Sequence, residues 1–358
     1  MSIYIIAEAG VNHNGDPLLA RKLVDVAADA GADAVKFQTF RADAVAVRTA
    51  PKADYQMATT EGDKTQYDML RRLELPPEAH HELMANCTSR GIDFLSSPFD
   101  RQSLSFLADD LGLSIIKIPS GEITNGPLLL AAGRTGRKLI VSTGMSTMDD
   151  VRTALGVLAF GFVSPRDAAP GRAAFIAAYQ SKRGQQALQK KVTLLHCTSE
   201  YPAPLNEINL RAMATMMNAF GLPVGLSDHS DGIAVPIAAA ALGATVIEKH
   251  FTTDRNLPGP DHKASLESAN LAAMIAGIRS VEKALGTGIK APTPSEASTA
   301  RVARRSLAVV VSIKAGQAFD EINLDALRPG TGVTPMAYWE WLGRKAHTDL
   351  PAGVLIPE

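Results

Sequence analysis

A (β/α)₈ barrel followed by a small separate C-terminal domain is the fold this sequence predicts, on three observations. Eight short apolar runs of strand type alternate with amphipathic segments of helical length as far as residue 285, which is the repeat of parallel β–α units. No G-x-G-x-x-G follows the first strand, so the commonest signature of the competing doubly wound sheet is missing. Beyond residue 302 the texture changes to short β-like runs broken by Gly and Pro. A chain of 358 residues is long for one domain and suits a large barrel with a small appendage.

Taken in order, strands are expected near Tyr4–Ala7, Ala34–Phe37, Ile92–Leu95, Ser114–Ile118, Lys138–Val141, Val192–Leu195, Val224–Leu226 and Thr245–Ile247. Helices fit at Pro17–Ala30, Pro76–Arg90, Arg101–Leu111, Gly126–Thr135, Met148–Leu158, Asn209–Phe220 and Ile233–Leu242, with Leu266–Leu285 closing the barrel. Two segments interrupt the repeat. Arg41–Leu73 is long and polar and reads as a loop over the barrel mouth with little regular structure. Phe160–Lys191 reads as a surface insertion carrying one extra helix. The barrel is therefore assigned to residues 1–285, a Pro-, Ser- and Thr-rich linker to 286–302, and the tail to 303–358. So short a tail needs a surface to dock on.

With 46% hydrophobic and 20% charged residues the composition is that of a globular protein. A net charge of −1 gives no field to attract nucleic acid or an anionic membrane, so an anionic substrate must be held by locally placed cations. Two cysteines, Cys87 and Cys197, form no disulfide framework and suit a reducing compartment. The start, MSIYIIAEAG, enters a strand without a basic leader, and no apolar run reaches spanning length. A cytoplasmic enzyme without a signal peptide or membrane segment is the expectation.

In a parallel barrel, chemistry sits at the carboxyl ends of the strands. Those ends carry Glu8; Lys36 and Gln38; Ser96 and Ser97; Lys117, Ser120 and Glu122; Ser142 and Thr143; His196, Thr198 and Tyr201; Ser227 and His229; Lys249 and His250. Lysines with several hydroxyls are what a phosphate and a carboxylate require. The stretch Val224–Lys263 is a strand–helix–strand unit that places His229 and His250 on neighbouring strand ends. Two imidazoles so placed can share a metal, with oxygens or waters completing a Mn²⁺- or Mg²⁺-like shell. Elsewhere His13 opens the first loop, as a cap or a ligand contact. His80 and His81 are expected to face solvent, and His262 accompanies Asp261 in a loop.

Nine strings carry a resemblance: AEAGVNHNGD (7–16), GADAVKFQT (31–39), IKIPSGEITN (116–125), VSTGM (141–145), LLHCTSEYPAP (194–204), GLSDHS (225–230), IEKHFT (247–252), PGPDHKAS (258–265) and RPGTGV (328–333). Together they resemble the sialic acid synthase family, whose members condense phosphoenolpyruvate with an N-acetylated six-carbon sugar. The resemblance implies a (β/α)₈ TIM barrel followed by an antifreeze-like, SAF-type domain that lids the partner's active site in a homodimer. It implies His229 and His250 as ligands of a divalent metal, typically Mn²⁺, with Mg²⁺ or Co²⁺ as alternatives. It implies Lys36, Ser97, Lys117, Ser120, Ser142 and Ser227 around phosphoenolpyruvate. Glu8, Gln38, Tyr201 and Asp261 would position the sugar, Arg328 would reach its N-acyl group from the second subunit, and Glu122 would act near the reacting centre. Two departures are visible: some members have Asn where this chain has Ser199, and some have Thr at the position of Ser97. PGPDHKAS is similar to the branches that make N-acetylneuraminate or N,N'-diacetyllegionaminate, with N-acetylmannosamine the sugar expected first and a 2,4-diacetamido-2,4,6-trideoxy sugar second.

Overall fold

The computed structural model describes residues 2–60 and 62–357. Eight strands form one parallel sheet: β1 Tyr4–Gly10, β2 Ala34–Thr39, β3 Asp93–Pro98, β4 Ile115–Ile118, β5 Lys138–Ser142, β6 Val192–Cys197, β7 Val224–Asp228 and β8 Val246–His250. Their ladder order is β3-β2-β1-β8-β7-β6-β5-β4. The first strand thus pairs with the last, and β3 packs beside β4 at the remaining seam. This is a TIM barrel.

Side chains alternate across each strand, and here the alternation builds two layers. Ile5, Ala7, Val35, Phe37, Ile116, Leu194, Val224, Leu226 and Ile247 face outward into the large core under the helices. Ile6, Ala34, Leu95, Ile140, Leu195 and Val246, with Ile115 partly buried, plug the barrel interior. Gly225 takes the corresponding place on β7, where a Cβ would lie 2.2 Å from the Val246 carbonyl oxygen. Two residues further along each strand stand Glu8, Lys36, Ser97, Lys117, Ser142, Cys197, Ser227 and Glu248. A polar layer therefore rests directly on an apolar plug, one pleat higher.

That layering explains where strand ends differ from expectation. Most strands run one to three residues past their apolar runs, because the polar layer is part of the ladder: Glu8 pairs with Lys36 and with His250. Outward polar residues of the same strands serve the scaffold. Lys249 and Asp228, both fully buried, form an ion pair of 2.6 Å between β8 and β7.

Two expected loops are structured instead. Segment 41–73 holds three short helices, Ala42–Val45, Asp54–Thr59 and Gln66–Leu73. Met69 and Leu73 of the last one pack with Val11 and Phe40, an apolar pairing hidden among polar neighbours in the sequence. The insertion carries two helices rather than one, Arg172–Gln180 and Lys182–Lys191. They are not mere embellishment, since Ala178 and Leu188 are buried in the main core and Phe175 meets Phe160 edge-on at 5.3 Å.

The chain divides into two compact units, Met1–Gly286 and Thr287–Glu358. In the second, the expected linker contains a turn at Pro294–Glu296 and a short helix at Ala297–Ala303, with Thr293 and Glu296 bonding reciprocally at the start. Strands Ser306–Val309 (β9) and Leu324–Leu327 (β10) pair antiparallel. Leu307, Val309, Ile313, Phe319, Leu324, Ala346 and Ile356 form a core of their own. Among the described residues, no helix is long and apolar enough to cross a membrane.

Candidate active site

The polar layer converges on Glu248, a residue the sequence reading passes over. Its Oε1 accepts from Lys117 Nζ at 2.9 Å and from Ser227 Oγ at 2.8 Å. Its Oε2 lies 3.6 Å from Lys36 Nζ. Lys36 in turn meets Glu8 Oε2 at 2.6 Å and donates to Ser97 Oγ at 3.1 Å. Lys36 is 1% and Lys117 4% exposed, so neither lysine is a surface residue. The signal for Glu248 was its place two residues before His250, on the same face of β8.

Burial works against every charge in this cluster, and the neighbours decide the outcome. Burial pushes the Glu248 carboxyl up, but Lys117 and Lys36 outweigh it and hold it well below the usual carboxylate range. Glu8 is less compensated: burial dominates, opposed by Lys36, and its carboxyl is raised to about 7. Lys36 stays charged because Glu248 and Glu8 more than offset its burial. The floor thus holds two cations against one firmly ionised carboxylate, an arrangement suited to an anion.

Above this floor the imidazoles of His229 and His250 lie with centroids 5.5 Å apart and planes at 48°. His229 Nδ1 donates to the Thr198 carbonyl at 2.7 Å, which fixes the tautomer with a lone pair on Nε2. Its burial is outweighed by the Cys197 sulfur, 3.7 Å from Nδ1, and its pKa is raised. His250 goes the other way: burial, then His229 and Lys36, hold it well below the usual range as a neutral ring. Its Nδ1 is buried without a hydrogen-bond partner, 3.9 Å from Asp261 Oδ2. Among the described residues no third His, Cys, Asp or Glu converges with these two as a cage. Two nitrogen donors with open positions fit a catalytic ion rather than a structural one.

The expected residues Glu8, Lys36, Gln38, Ser97, Lys117, Ser120, Ser142, Tyr201, Ser227, His229, His250 and Asp261 all line one cavity of about 410 Å³. Ser120 Oγ accepts from the Gly144 amide at 3.0 Å, and Ser142 Oγ is buried without a partner. Tyr201 stacks 4.2 Å from the His229 ring. Asn12 donates to Ser265, whose hydroxyl donates to the Asp261 carbonyl at 2.7 Å, so the first loop holds the Asp261 loop in place. Gly10, with φ 53°, leaves room at the mouth, since a Cβ there would come within 3.4 Å of Glu8, His250 and Gln38.

Other expected contacts fall elsewhere. Glu122 does not line the cavity; it accepts from Asn125 at 2.6 Å, beside the first turn of Gly126–Thr135. Ser96, Thr143, His196 and Lys249 sit on the outward pleat. Ser96 bonds Thr39, Thr143 the Leu195 carbonyl, and His196 the Ile208 carbonyl. The Thr198 hydroxyl bonds the Glu207 carbonyl. His13 is buried and accepts from the Gly15 amide, so it shapes its own loop. His80 is buried against Thr39 rather than solvent-facing, whereas His81 is exposed. His262 is buried on Thr252. Arg328 belongs to the C-terminal unit, where it is exposed.

Comparison with known proteins agrees with this geometry. The NeuB family profile matches residues 23–290, and the SAF domain profile residues 304–358. The chain belongs to the sialic acid synthase (NeuB) family. It is 47% identical to the N,N'-diacetyllegionaminic acid synthase of Campylobacter jejuni, covering 99% of this chain and 98% of that one. Identity to the enzyme of the same name from Legionella pneumophila is 43%, over 99% and 94%. The crystal structure of the N-acetylneuraminic acid synthetase of Leptospira borgpetersenii superposes with a TM-score of 0.65 at 32% identity, over 84% and 90% of the two chains. This family member is thus a condensing enzyme whose C-terminal unit is an SAF domain.

Proposed function

We propose that this sialic acid synthase family member condenses phosphoenolpyruvate with a 2,4-diacetamido-2,4,6-trideoxymannose, giving N,N'-diacetyllegionaminate and phosphate. The observation that carries the condensation is the joining of a two-lysine floor and two facing histidines in one cavity. The sugar rests on the relatives: those named for legionaminic acid are 47% and 43% identical, the one named for N-acetylneuraminic acid 32%. N-acetylmannosamine, the sugar expected first from the sequence, becomes the second reading.

His229 and His250 would hold the divalent ion, Mn²⁺ in this reading, which when bound supplies a Lewis acid for the sugar's aldehyde. Lys36, Lys117 and the hydroxyls of Ser97, Ser120, Ser142 and Ser227 take the carboxylate and phosphate and fix phosphoenolpyruvate for attack. Its C3 bonds to the aldehyde carbon, whose oxygen takes a proton to become a hydroxyl. Water then adds to C2 and loses a proton, and phosphate leaves with the bridging oxygen. Glu248 and Glu8, not Glu122, are the carboxylates beside Lys36 that face this chemistry. Glu248 stays ionised to counter positive charge at C2, while Glu8 is poised to carry a proton near neutral pH. Gln38, Tyr201 and Asp261 position the sugar. Arg328 of a second copy is assigned to its N-acyl group, in a homodimer lidded by the C-terminal domain.

Two expected results follow from these roles. Because the Glu8 carboxyl is protonated below about 7, the floor gains one net positive charge on acidification. Phosphoenolpyruvate binding to the metal-free protein, followed by calorimetry from pH 8 to pH 6, should tighten by up to about tenfold, the equivalent of one pKa unit. Glu8→Gln should remove that part of the pH dependence. Arg328→Ala should raise the KM for the sugar by about tenfold or more, the loss of one charge-assisted hydrogen bond, with the KM for phosphoenolpyruvate within about twofold in the same kinetics. An unchanged sugar KM contradicts the lid. The function itself is tested by incubating protein, Mn²⁺ and phosphoenolpyruvate with each sugar, measuring phosphate and the mass of the acid formed. Turnover of the diacetamido sugar is expected, and preference for N-acetylmannosamine reverses the assignment.

A further inference from the structure

The cavity has two chemically distinct halves, and only the charged one is used by the chemistry above. The other is built by the 40–73 segment closing over the barrel mouth. Phe40, Val45, Tyr55, Leu70, Leu73 and Phe99 line it. These side chains are held in place by their own packing: Phe40 meets Phe99 edge-on at 5.9 Å, and Val45, Leu70 and Phe99 pack on the buried Met69 and Leu73. Tyr55 joins the two halves, its ring 4.9 Å from Tyr201, which stacks on His229.

The polar groups on this side are few. Gln56 lines it, yet its carbonyl accepts from the Ala53 amide at 3.0 Å and its amide donates to the Tyr55 hydroxyl at 3.2 Å. Gln66 also lines this side, with its backbone amide donating to the Ala50 carbonyl at 2.9 Å. A hydroxyl turned toward the apolar side chains of Val45, Leu70 and Phe99 gives up water without replacement, whereas a methyl gains by leaving it. N-acetylmannosamine carries hydroxyls at both C4 and C6. The 2,4,6-trideoxy sugar replaces them with a second acetamido group and a methyl.

We infer that the 40–73 segment is the specificity wall of this enzyme: its apolar annex, centred on Val45, Tyr55 and Leu70, receives the 4-acetamido and 6-deoxy end of the sugar and selects it over hydroxyl-bearing hexosamines. This rests on the proposed condensation and adds the residues that read the sugar. Selection acts on the sugar alone, because phosphoenolpyruvate lies on the lysine floor beneath.

The test is a competition read as a ratio. Phosphate release is measured with the diacetamido sugar and with N-acetylmannosamine for the wild-type protein, Leu70→Ser, Leu70→Met and Val45→Thr. The wild type should favour the diacetamido sugar in kcat/KM by at least about tenfold, the discrimination a few apolar contacts supply. Leu70→Ser and the isosteric Val45→Thr should each lower that ratio several-fold, and Leu70→Met should retain it. A ratio that does not move in either polar variant, or a loss shared equally by both sugars with a raised KM for phosphoenolpyruvate, overturns the wall as a selector. A wild type that uses N-acetylmannosamine best overturns the inference while leaving the condensation standing. Release with neither sugar overturns the condensation itself.

Discussion

Replacing His250 with alanine is expected to abolish metal-supported turnover and to remove most of the protein's Mn²⁺ affinity. The imidazole is buried, neutral and without a partner at Nδ1, and among the described residues lining the cavity His229 is then the one imidazole left. The loss should exceed the roughly 10–100-fold that an outer-shell partner of a metal ligand costs. Mn²⁺ binding followed by electron paramagnetic resonance checks this apart from activity, and thermal unfolding of the metal-free variant checks that the barrel persists. Binding equal to wild type would place the ion elsewhere.

The second large effect is on stability. Asp228→Ala should destabilise the barrel by about 3–5 kcal/mol, because it strands the ammonium of Lys249 in the wall between β7 and β8. Both side chains are fully excluded from water, and Asp228 also accepts from the Ser230 amide and hydroxyl at 3.0 Å each. Urea unfolding measures it. The double variant Asp228→Leu with Lys249→Met should recover much of the loss, since it leaves no uncompensated charge. A single-variant cost below about 1 kcal/mol, the level of a surface pair, would contradict the buried role.

The barrel was legible because apolar periodicity alone marks eight strands and the helices between them. The site was legible in part because strand ends and motif strings named twelve of the residues now found in one cavity. What they did not resolve was direction. Lys249 and Glu248 are neighbours in a polar triplet, and the sequence reading singled out the lysine, whereas the pleat turns Glu248 inward and Lys249 away. Counting by two from His250, or from the plug residue Val246, separates them. Ser96, Thr143 and His196 fail for the same reason. Glu122 was attached to a strand end that has already turned into a helix cap. The 41–73 helices stayed hidden because each is short, and the apolar residues of the first and last pack on Val11 and Phe40 rather than on a helix of the repeat.

The central claim is that the lysine floor and the two-histidine site act together on phosphoenolpyruvate and a sugar. It is tested most directly by following phosphate release in ¹⁸O-labelled water with chelator-treated protein, adding Mn²⁺, phosphoenolpyruvate and the diacetamido sugar singly and together. Release is predicted only when all three are present, with the label in the C2 oxygen of the nine-carbon acid and none in phosphate. Phosphate that forms without sugar, or that carries the label, would show hydrolysis at phosphorus and contradict the account.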